Sequence, residues 1–145
     1  MPDPAADHAE REFLGVLLHA HPDAAEQAAG VTEGDFRIDA HRHIWRAISA
    51  LWDAGRPATL DRVATWLMRK AWLDDAGGGV YLATLFEESP SGSGVRYYAD
   101  AVREHALRRR LADEGRRLTQ LAEERGVPAA ELLADMRARL AGLGG

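Results

Sequence analysis

Three consecutive glycines, Gly77, Gly78 and Gly79, form the stretch with the composition of a phosphate-binding loop. In such a loop a lysine and then a serine or threonine follow the glycines, because these side chains reach the phosphates and the magnesium ion. Val80 and Tyr81 stand there instead. We therefore predict a tight turn before a helix, without a nucleotide site or any cofactor.

The six histidines do not have the spacing of a metal site. His41 and His43 are two residues apart, so on a helix their side chains point about 200° apart and cannot hold one ion. The chain has no cysteine and no His-Glu-x-x-His motif, and no nucleophile-elbow sequence supports a Ser-His-Asp hydrolase. We expect neither a metal ligand nor a catalytic residue in this chain.

Arginines are concentrated between residues 103 and 117, where they could contact nucleic-acid phosphates. Acidic residues are mixed among them, so a solvated helix face with internal salt bridges is the simpler interpretation. The net charge of −5 also argues against coating DNA by charge alone. A phosphate-binding strip, giving a weak contact with single-stranded DNA or another partner, stays the alternative. Its residues would be Arg103, Arg108, Arg109, Arg116 and Arg117.

The four tryptophans could stack on the bases of single-stranded nucleic acid. Trp45, Trp52 and Trp66, however, fall at or beside the core positions of amphipathic helices, which usually face inward. We interpret these three as core residues. Trp72 follows the end of a helix and is predicted to be partly exposed.

The clearest helical period lies in residues 36–52, where apolar side chains recur at three- and four-residue spacing. Asp39 is the expected N-cap of this helix, because its carboxylate can accept from free backbone N–H groups. Gly55 and Pro57 give a strong stop signal after it. Phe36 is expected to fold back onto the helix from the turn before it.

The rest of the chain also shows helical periods, and none of it alternates with the period of a strand. Residues 1–6 are expected to fray, with Asp7 as the N-cap of the first helix. A turn or single helical turn capped by Thr32 precedes the central helix. The other predicted helices cover residues 9–19, 22–29, 59–71, 80–87, 95–125 and 129–140, with Thr59 starting the fourth of the chain.

The predicted fold is all-α, a small helical head followed by an antiparallel helical hairpin in one domain, 1–145. Residues 89–94 are rich in serine and glycine, so we place the boundary there, with the head at 1–94 and the hairpin at 95–145. The last two helices are joined by a short turn at 126–128 and must be antiparallel.

The hairpin carries more leucine than two helices can bury between them. We expect it to pair with a second copy, giving a dimer or a higher oligomer. The predicted self-association residues are Leu111, Leu118, Leu121, Leu133, Met136 and Leu140. No apolar run is long enough to span a membrane, and the acidic N-terminus lacks the features of a signal peptide, so the cytoplasm is the expected location.

Four blocks of residues recur in an order and spacing that resemble one family. The first is Glu10 with Leu14-Gly15-Val16-Leu17-Leu18, and the second runs from Phe36 through His41-Arg42, Ile44-Trp45, Ala47-Ile48 and Leu51 to Gly55 and Pro57. The third is Gly77-Gly78-x-x-Tyr81-Leu82-x-x-Leu85, and the last is Pro90 with Tyr97-Tyr98-Ala99. Together they are similar to the N-terminal domain of the DnaB-type replicative DNA helicases. Ser93-Gly94 departs from that pattern, which usually has an asparagine shortly before its Tyr-Ala pair.

The resemblance implies a non-catalytic collar and assembly domain in DNA replication, pairing through hairpins into as much as a hexameric collar and docking the C-terminal domain of primase. The RecA-like ATPase motor of that family is not in this sequence. The chain is therefore expected to be an excised helicase domain or a stand-alone homologue that acts as a replication adaptor or regulator. A nucleic-acid-binding helical domain and a small enzyme stay as alternatives from other classes.

Overall fold

The computed structural model describes residues 2–90 and 93–143, which are built from α-helices, one short 3₁₀ helix and connecting turns. The α-helices are α1 (Pro4–Leu17), α2 (Ala24–Gln27), α3 (Asp39–Asp53), α4 (Leu60–Arg69), α5 (Gly78–Glu88), α6 (Val95–Glu124) and α7 (Ala129–Leu143), and the 3₁₀ helix is Glu33–Asp35. No strand occurs among the described residues, and the all-α prediction is confirmed.

Two compact units make up the chain, Met1–Arg103 and Glu104–Gly145, which we name the head unit and the hairpin unit. The division falls inside α6, so this helix contributes residues to both units. The boundary predicted between residues 94 and 95 stays a prediction. The prediction rests on residues 89–94, and two of these, Ser91 and Gly92, lie outside the described residues.

The first helix begins earlier than its periodicity predicts. Asp3 is its N-cap, with a carboxylate oxygen accepting from Ala6 N at 3.2 Å, and Pro4 occupies the first helical position. Aspartate followed by proline is a strong helix start, since proline has no N–H to leave unpaired. Ala6 is fully buried. The predicted fraying is therefore wrong for residues 4–6, and Asp7 lies inside the first turn.

The central helix α3 packs its predicted apolar stripe into the core of the head unit. Its buried side chains are His41, Ile44, Trp45, Ala47, Ile48 and Leu51. Phe36 folds back as predicted, with its ring 5.6 Å from that of Trp45 and 6.1 Å from that of Phe13. The N-cap, however, is Ile38 and not Asp39. Asp39 lies one position later, where its charge still favours the helix N-terminus.

Two glycines allow close approach between elements of the head unit. A Cβ on Gly15 of α1 would lie 2.3 Å from the Leu85 carbonyl oxygen of α5, so only glycine lets these helices pack so closely. Gly77 caps α5 in the left-handed conformation, at φ 98°. The prediction that the three glycines form a turn before a helix is confirmed, although Gly78 and Gly79 lie within α5 itself. Thr59 caps α4 as predicted, accepting from Arg62 N.

Within the hairpin unit, α6 and α7 are antiparallel. Arg117 of α6 donates to Asp135 of α7 at 2.9 Å, and Glu114, one turn earlier on α6, pairs with Arg139, one turn later on α7, at 3.3 Å. This order along the two helices is possible only if they run in opposite directions. The predicted antiparallel hairpin is thus confirmed.

Candidate assembly surface

The leucines predicted to mediate self-association differ in how much surface they leave uncovered. Leu111, Leu133 and Leu140 are exposed, at 45%, 52% and 45% of their surface, whereas Leu118 and Leu121 are partly buried. Met136 is 8% exposed and has little surface to offer another molecule. The available apolar surface is therefore concentrated on the three exposed leucines.

The exposed leucines are placed by the hairpin geometry. Leu133 and Leu140 are seven residues apart on α7, about two turns or 10 Å, so they lie on one side of that helix. Leu111 is one turn before Glu114 on α6, and Glu114 pairs with Arg139. Leu111 and Leu140 consequently lie at the same end of the hairpin unit, and the surface extends along α7 from that end.

Much of the arginine charge predicted to form a strip is neutralised by neighbouring carboxylates. Arg108 pairs with Glu104 at 3.0 Å, and Arg116 pairs with Asp113. Arg117 donates to Asp135, as described above. These pairs favour the interpretation of a salt-bridged, solvated helix face over that of a phosphate-binding strip.

The two other members of the strip have different surroundings. Arg109 is partly buried. Arg103 is the last residue of the head unit, and its guanidinium lies against Gly30, with the guanidinium carbon 3.3 Å from the position of a Cβ on that glycine. The predicted strip is therefore divided between the two units.

The ion pairs of the hairpin unit shift the pKa of their members. The hydrogen bond from Arg117 is the largest cause that lowers the pKa of Asp135 below its ordinary value of 3.8, and Arg139 adds to it. Asp135 in turn raises the pKa of Arg139. Arg139 is exposed and Asp135 is partly exposed, so solvent screens the pair, and its main effect is to fix the pairing of the two helices.

A buried polar network in the head unit joins three helices. His41 of α3 hydrogen-bonds through Nδ1 to Glu10 Oε1 of α1 at 2.8 Å, and through Nε2 to the hydroxyl of Tyr81 in α5 at 2.6 Å. The second oxygen of Glu10 accepts from Arg37 N at 3.0 Å. Glu10 and His41 are almost fully buried. Each polar group in this network has a partner, as burial requires.

The network orients side chains and does not activate a nucleophile. When Nδ1 donates to Glu10, the neutral imidazole has Nε2 free to accept the Tyr81 proton. Burial is the largest cause that raises the pKa of Tyr81 above 10.0, so its hydroxyl stays protonated at neutral pH and can donate to Nε2. The rings of His41 and Tyr81 are nearly parallel, with an interplanar angle of 6°. The arrangement therefore fixes α1, α3 and α5 to one another.

This network was missed by the sequence reasoning. The signal was present, because Glu10, His41 and Tyr81 each belong to one of the blocks that carry the resemblance. Glu10 lies 31 residues before His41, and Tyr81 lies 40 residues after it. Nothing in the spacing of a single helix indicates that they meet.

The burial of the tryptophans agrees only in part with the predicted core positions. Trp45 is buried, with only 8% of its surface exposed, in agreement with the core interpretation. Trp52, Trp66 and Trp72 pack against the core but are only partly buried.

No group of three or more His, Cys, Asp or Glu residues that could hold a metal ion occurs in residues 2–90 and 93–143. In the same part of the chain, no helix has the length and hydropathy to cross a membrane.

A family model described as the DnaB-like helicase N terminal domain matches residues 3–104. Among curated relatives, the replicative DNA helicase DnaB of Mycobacterium leprae (strain TN) is 36% identical over 127 residues, covering 86% of this chain and 21% of the relative. The replicative DNA helicase DnaB of Leifsonia xyli subsp. xyli (strain CTCB07) is also 36% identical, over 113 residues, covering 78% of this chain and 25% of the relative. The chain thus spans about a fifth to a quarter of the length of these relatives.

Two solved structures share the fold. The crystal structure of the N-terminal domain of DnaB helicase from Mycobacterium tuberculosis superposes with a TM-score of 0.83 at 34% identity, covering 97% of this chain and 96% of that one. A DnaB-like replicative helicase, described with its interactions with primase, gives a TM-score of 0.70 at 19% identity, covering 92% of this chain and 31% of that one. At that identity the second likeness shows the fold alone.

Proposed function

The chain belongs to the DnaB-like helicase N-terminal domain family, and on that premise we propose that it is a non-catalytic assembly domain of a replicative DNA helicase. The observation that carries this proposal is the likeness to the Mycobacterium tuberculosis DnaB N-terminal domain over nearly the full length of both chains. In this role the chain forms part of a collar and acts in the cytoplasm in DNA replication. The strand-separating chemistry belongs to an ATPase motor outside this sequence.

The first activity within this proposal is self-association through the hairpin unit, as a dimer that can extend to a hexameric collar. The three exposed leucines support it, since each leaves about half of its apolar surface to water. The partly buried Leu118 and Leu121 add to the same surface. Light scattering coupled to size exclusion measures the oligomer directly. A mass equal to one chain at every concentration would refute this activity.

The second activity is docking of the C-terminal domain of the primase from the same organism. It is supported by the shared fold with a DnaB-like replicative helicase that is described together with its interactions with primase. We expect modest affinity for a single copy, because an oligomeric collar presents several sites at once and multivalency supplies the remainder.

Calorimetric titration of the primase C-terminal domain into the assembled oligomer tests this second activity. Saturable binding that weakens when the oligomer is dissociated by Leu133→Asp is the expected result. Absence of binding to the intact oligomer removes the primase role but leaves the assembly role standing. The two activities are thereby separated.

A further inference from the structure

A surface with basic and aromatic side chains lies over α3 and α4 of the head unit. It includes none of the exposed leucines of the hairpin unit. Two adjoining cavities open on it, of about 440 Å³ and about 500 Å³. Trp66 lines both, with Trp72 on one side of it and Arg56, Arg62 and Arg69 on the other. We name this surface the tryptophan face, defined by Arg46, Arg56, Arg62, Trp66, Arg69, Lys70 and Trp72.

The sequence of α4 places these side chains on its outer side. Arg62, Trp66 and Arg69 follow one another at spacings of four and three, so they share one stripe of α4, and Lys70 is the C-cap that follows them. The buried Val63 and Leu67 lie about 100–130° around the helix from the centre of that stripe. The face is thus a consequence of the amphipathic pattern, with a large aromatic ring in the middle of the exposed stripe.

The rings of Trp66 and Trp72 lie next to one another, and each has a cation over it. Trp66 and Trp72 have centroids 5.7 Å apart. The Lys70 ammonium lies 5.4 Å from the centroid of Trp66, and the Arg46 guanidinium lies 5.5 Å from that of Trp72. Each ring therefore already has a cation from this chain over it.

Most of the positive charge on this face has no acidic partner. Arg46 pairs with Glu33 at 2.6 Å. In contrast, the guanidinium groups of Arg56, Arg62 and Arg69 make no ion pair with any residue in the part of the chain that the structure describes, and all three are exposed. Three carboxylates, Glu33, Asp53 and Asp61, line the same two cavities as the five cations, so the face keeps an excess of positive charge on a chain whose net charge is −5.

We propose that the tryptophan face binds an acidic peptide segment of a partner protein that carries an aromatic or large aliphatic side chain. The apolar side chain enters the cavity beside Trp66 and Trp72, and carboxylates of the segment pair with Arg62 and Arg69, one turn to either side. Cavities of this size accept a few side chains. Complementary charge then sets the preference for acidic over basic segments and speeds the encounter.

A single-stranded nucleic acid fits this face less well. Binding without base-specific contacts requires free aromatic faces for successive bases and a charged path that extends over about 4–16 nucleotides. Here both rings have a cation from the chain over them, and the unpaired arginines span only the two-and-a-half turns of α4 and the turn before it. Single-stranded DNA is therefore the competing probe in the test.

The test uses the full chain and short fluorescein-labelled synthetic peptides, followed by fluorescence anisotropy at low ionic strength. The first peptide alternates aspartate with leucine and has one central phenylalanine. The second has lysine in place of each aspartate, and the third has serine in place of each apolar residue. Oligothymidine of similar length is the nucleic-acid probe. We expect saturable binding of the first peptide only.

Two variants test whether the acidic peptide binds at the tryptophan face. The double substitution Arg62→Glu with Arg69→Glu changes two exposed side chains and should weaken binding of the acidic peptide by about tenfold or more. Arg96→Glu makes the same charge reversal at an exposed position of α6 in the head unit and should leave binding unchanged. Circular dichroism confirms that each variant keeps its helices.

Several results would overturn the proposal. These are no saturable binding of the acidic peptide, equal binding of the lysine or serine peptide, and equal loss of binding in Arg96→Glu. Tighter binding of oligothymidine than of the acidic peptide would also overturn it, and would identify the face as a nucleic-acid surface.

Discussion

Replacing Leu133 by aspartate should dissociate the assembly without unfolding either unit. Leu133 is the most exposed of the hairpin leucines, at 52%, so its replacement disturbs the folded monomer less than replacement of a more buried leucine. Leu118 is partly buried, and a charge there would disturb the packing of the hairpin unit as well. Leu133→Asp therefore separates association from folding more cleanly than Leu118→Asp.

The magnitude follows from the exposed area. Fully burying a leucine contributes about 1.5–3 kcal/mol, so covering an exposed half contributes roughly 0.7–1.5 kcal/mol. In a two-fold symmetric pair each copy contributes the same residues to the interface, so a substitution at one leucine acts twice. Losing Leu133 from both copies removes about 1.5–3 kcal/mol, which raises the dissociation constant about 10- to 100-fold.

Sedimentation velocity over a range of concentrations measures that change. Ala138→Asp is the matched control, since Ala138 is an exposed alanine of α7 that lies about 140° around the helix from Leu133. We expect the control to keep the wild-type dissociation constant and both variants to keep the wild-type circular dichroism. The reasoning fails if Leu133→Asp leaves the dissociation constant unchanged, or if Ala138→Asp raises it equally.

Three further substitutions test the folded units. Tyr81→Phe leaves the buried Nε2 of His41 without its donor and should lower the free energy of unfolding by about 1–3 kcal/mol in urea titrations. Gly15→Ala brings a Cβ against Leu85 and should cost about 1–3 kcal/mol, whereas Gly115→Ala, in open space, should stabilise by about 0.5–1 kcal/mol. The lowered pKa of Asp135 means that its contribution is present above pH 3.8 and is lost as the pH falls through the lower folded value. Because solvent screens this pair, the effect is small: in urea titrations on either side of pH 3.8, the free energy of unfolding should fall slightly less with acid in Asp135→Asn than in the wild type. A wild-type acid profile in that variant would contradict the assignment.

Long, strongly periodic helices were predictable from the sequence. Helix α6 is Val95–Glu124 against a prediction of 95–125, and the apolar stripe of α3 is buried as its spacing requires. These elements are determined by local pattern, because one face must meet the core whatever the partner is. The helix starts were less predictable. The Asp3–Pro4 pair is a stronger start signal than the Asp7 cap inferred from the apolar period.

Neighbouring positions on one helix show where pattern reasoning fails. Trp66 and Leu67 are adjacent on α4, and only Leu67 is fully buried. A step of one residue turns a side chain by about 100°, which can move it from the core to the edge of the exposed surface. The interpretation of Trp66 as a core residue was accordingly only half correct. Its ring packs against the core and still lines both cavities of the tryptophan face.

Both units leave large apolar side chains exposed, Met68, Val80 and Tyr97 in the head unit and Leu111, Leu133 and Leu140 in the hairpin unit. In the head unit both side-chain oxygens of the buried Glu10 are hydrogen-bonded, one to His41 and the other to the Arg37 amide. In the hairpin unit the polar groups between α6 and α7 are paired, while the exposed leucines are left without cover. A unit of two helices has too small a core to bury a second apolar stripe, so only another molecule can cover it. The proposed self-association would cover the three hairpin leucines, which lie on the two helices that form this unit.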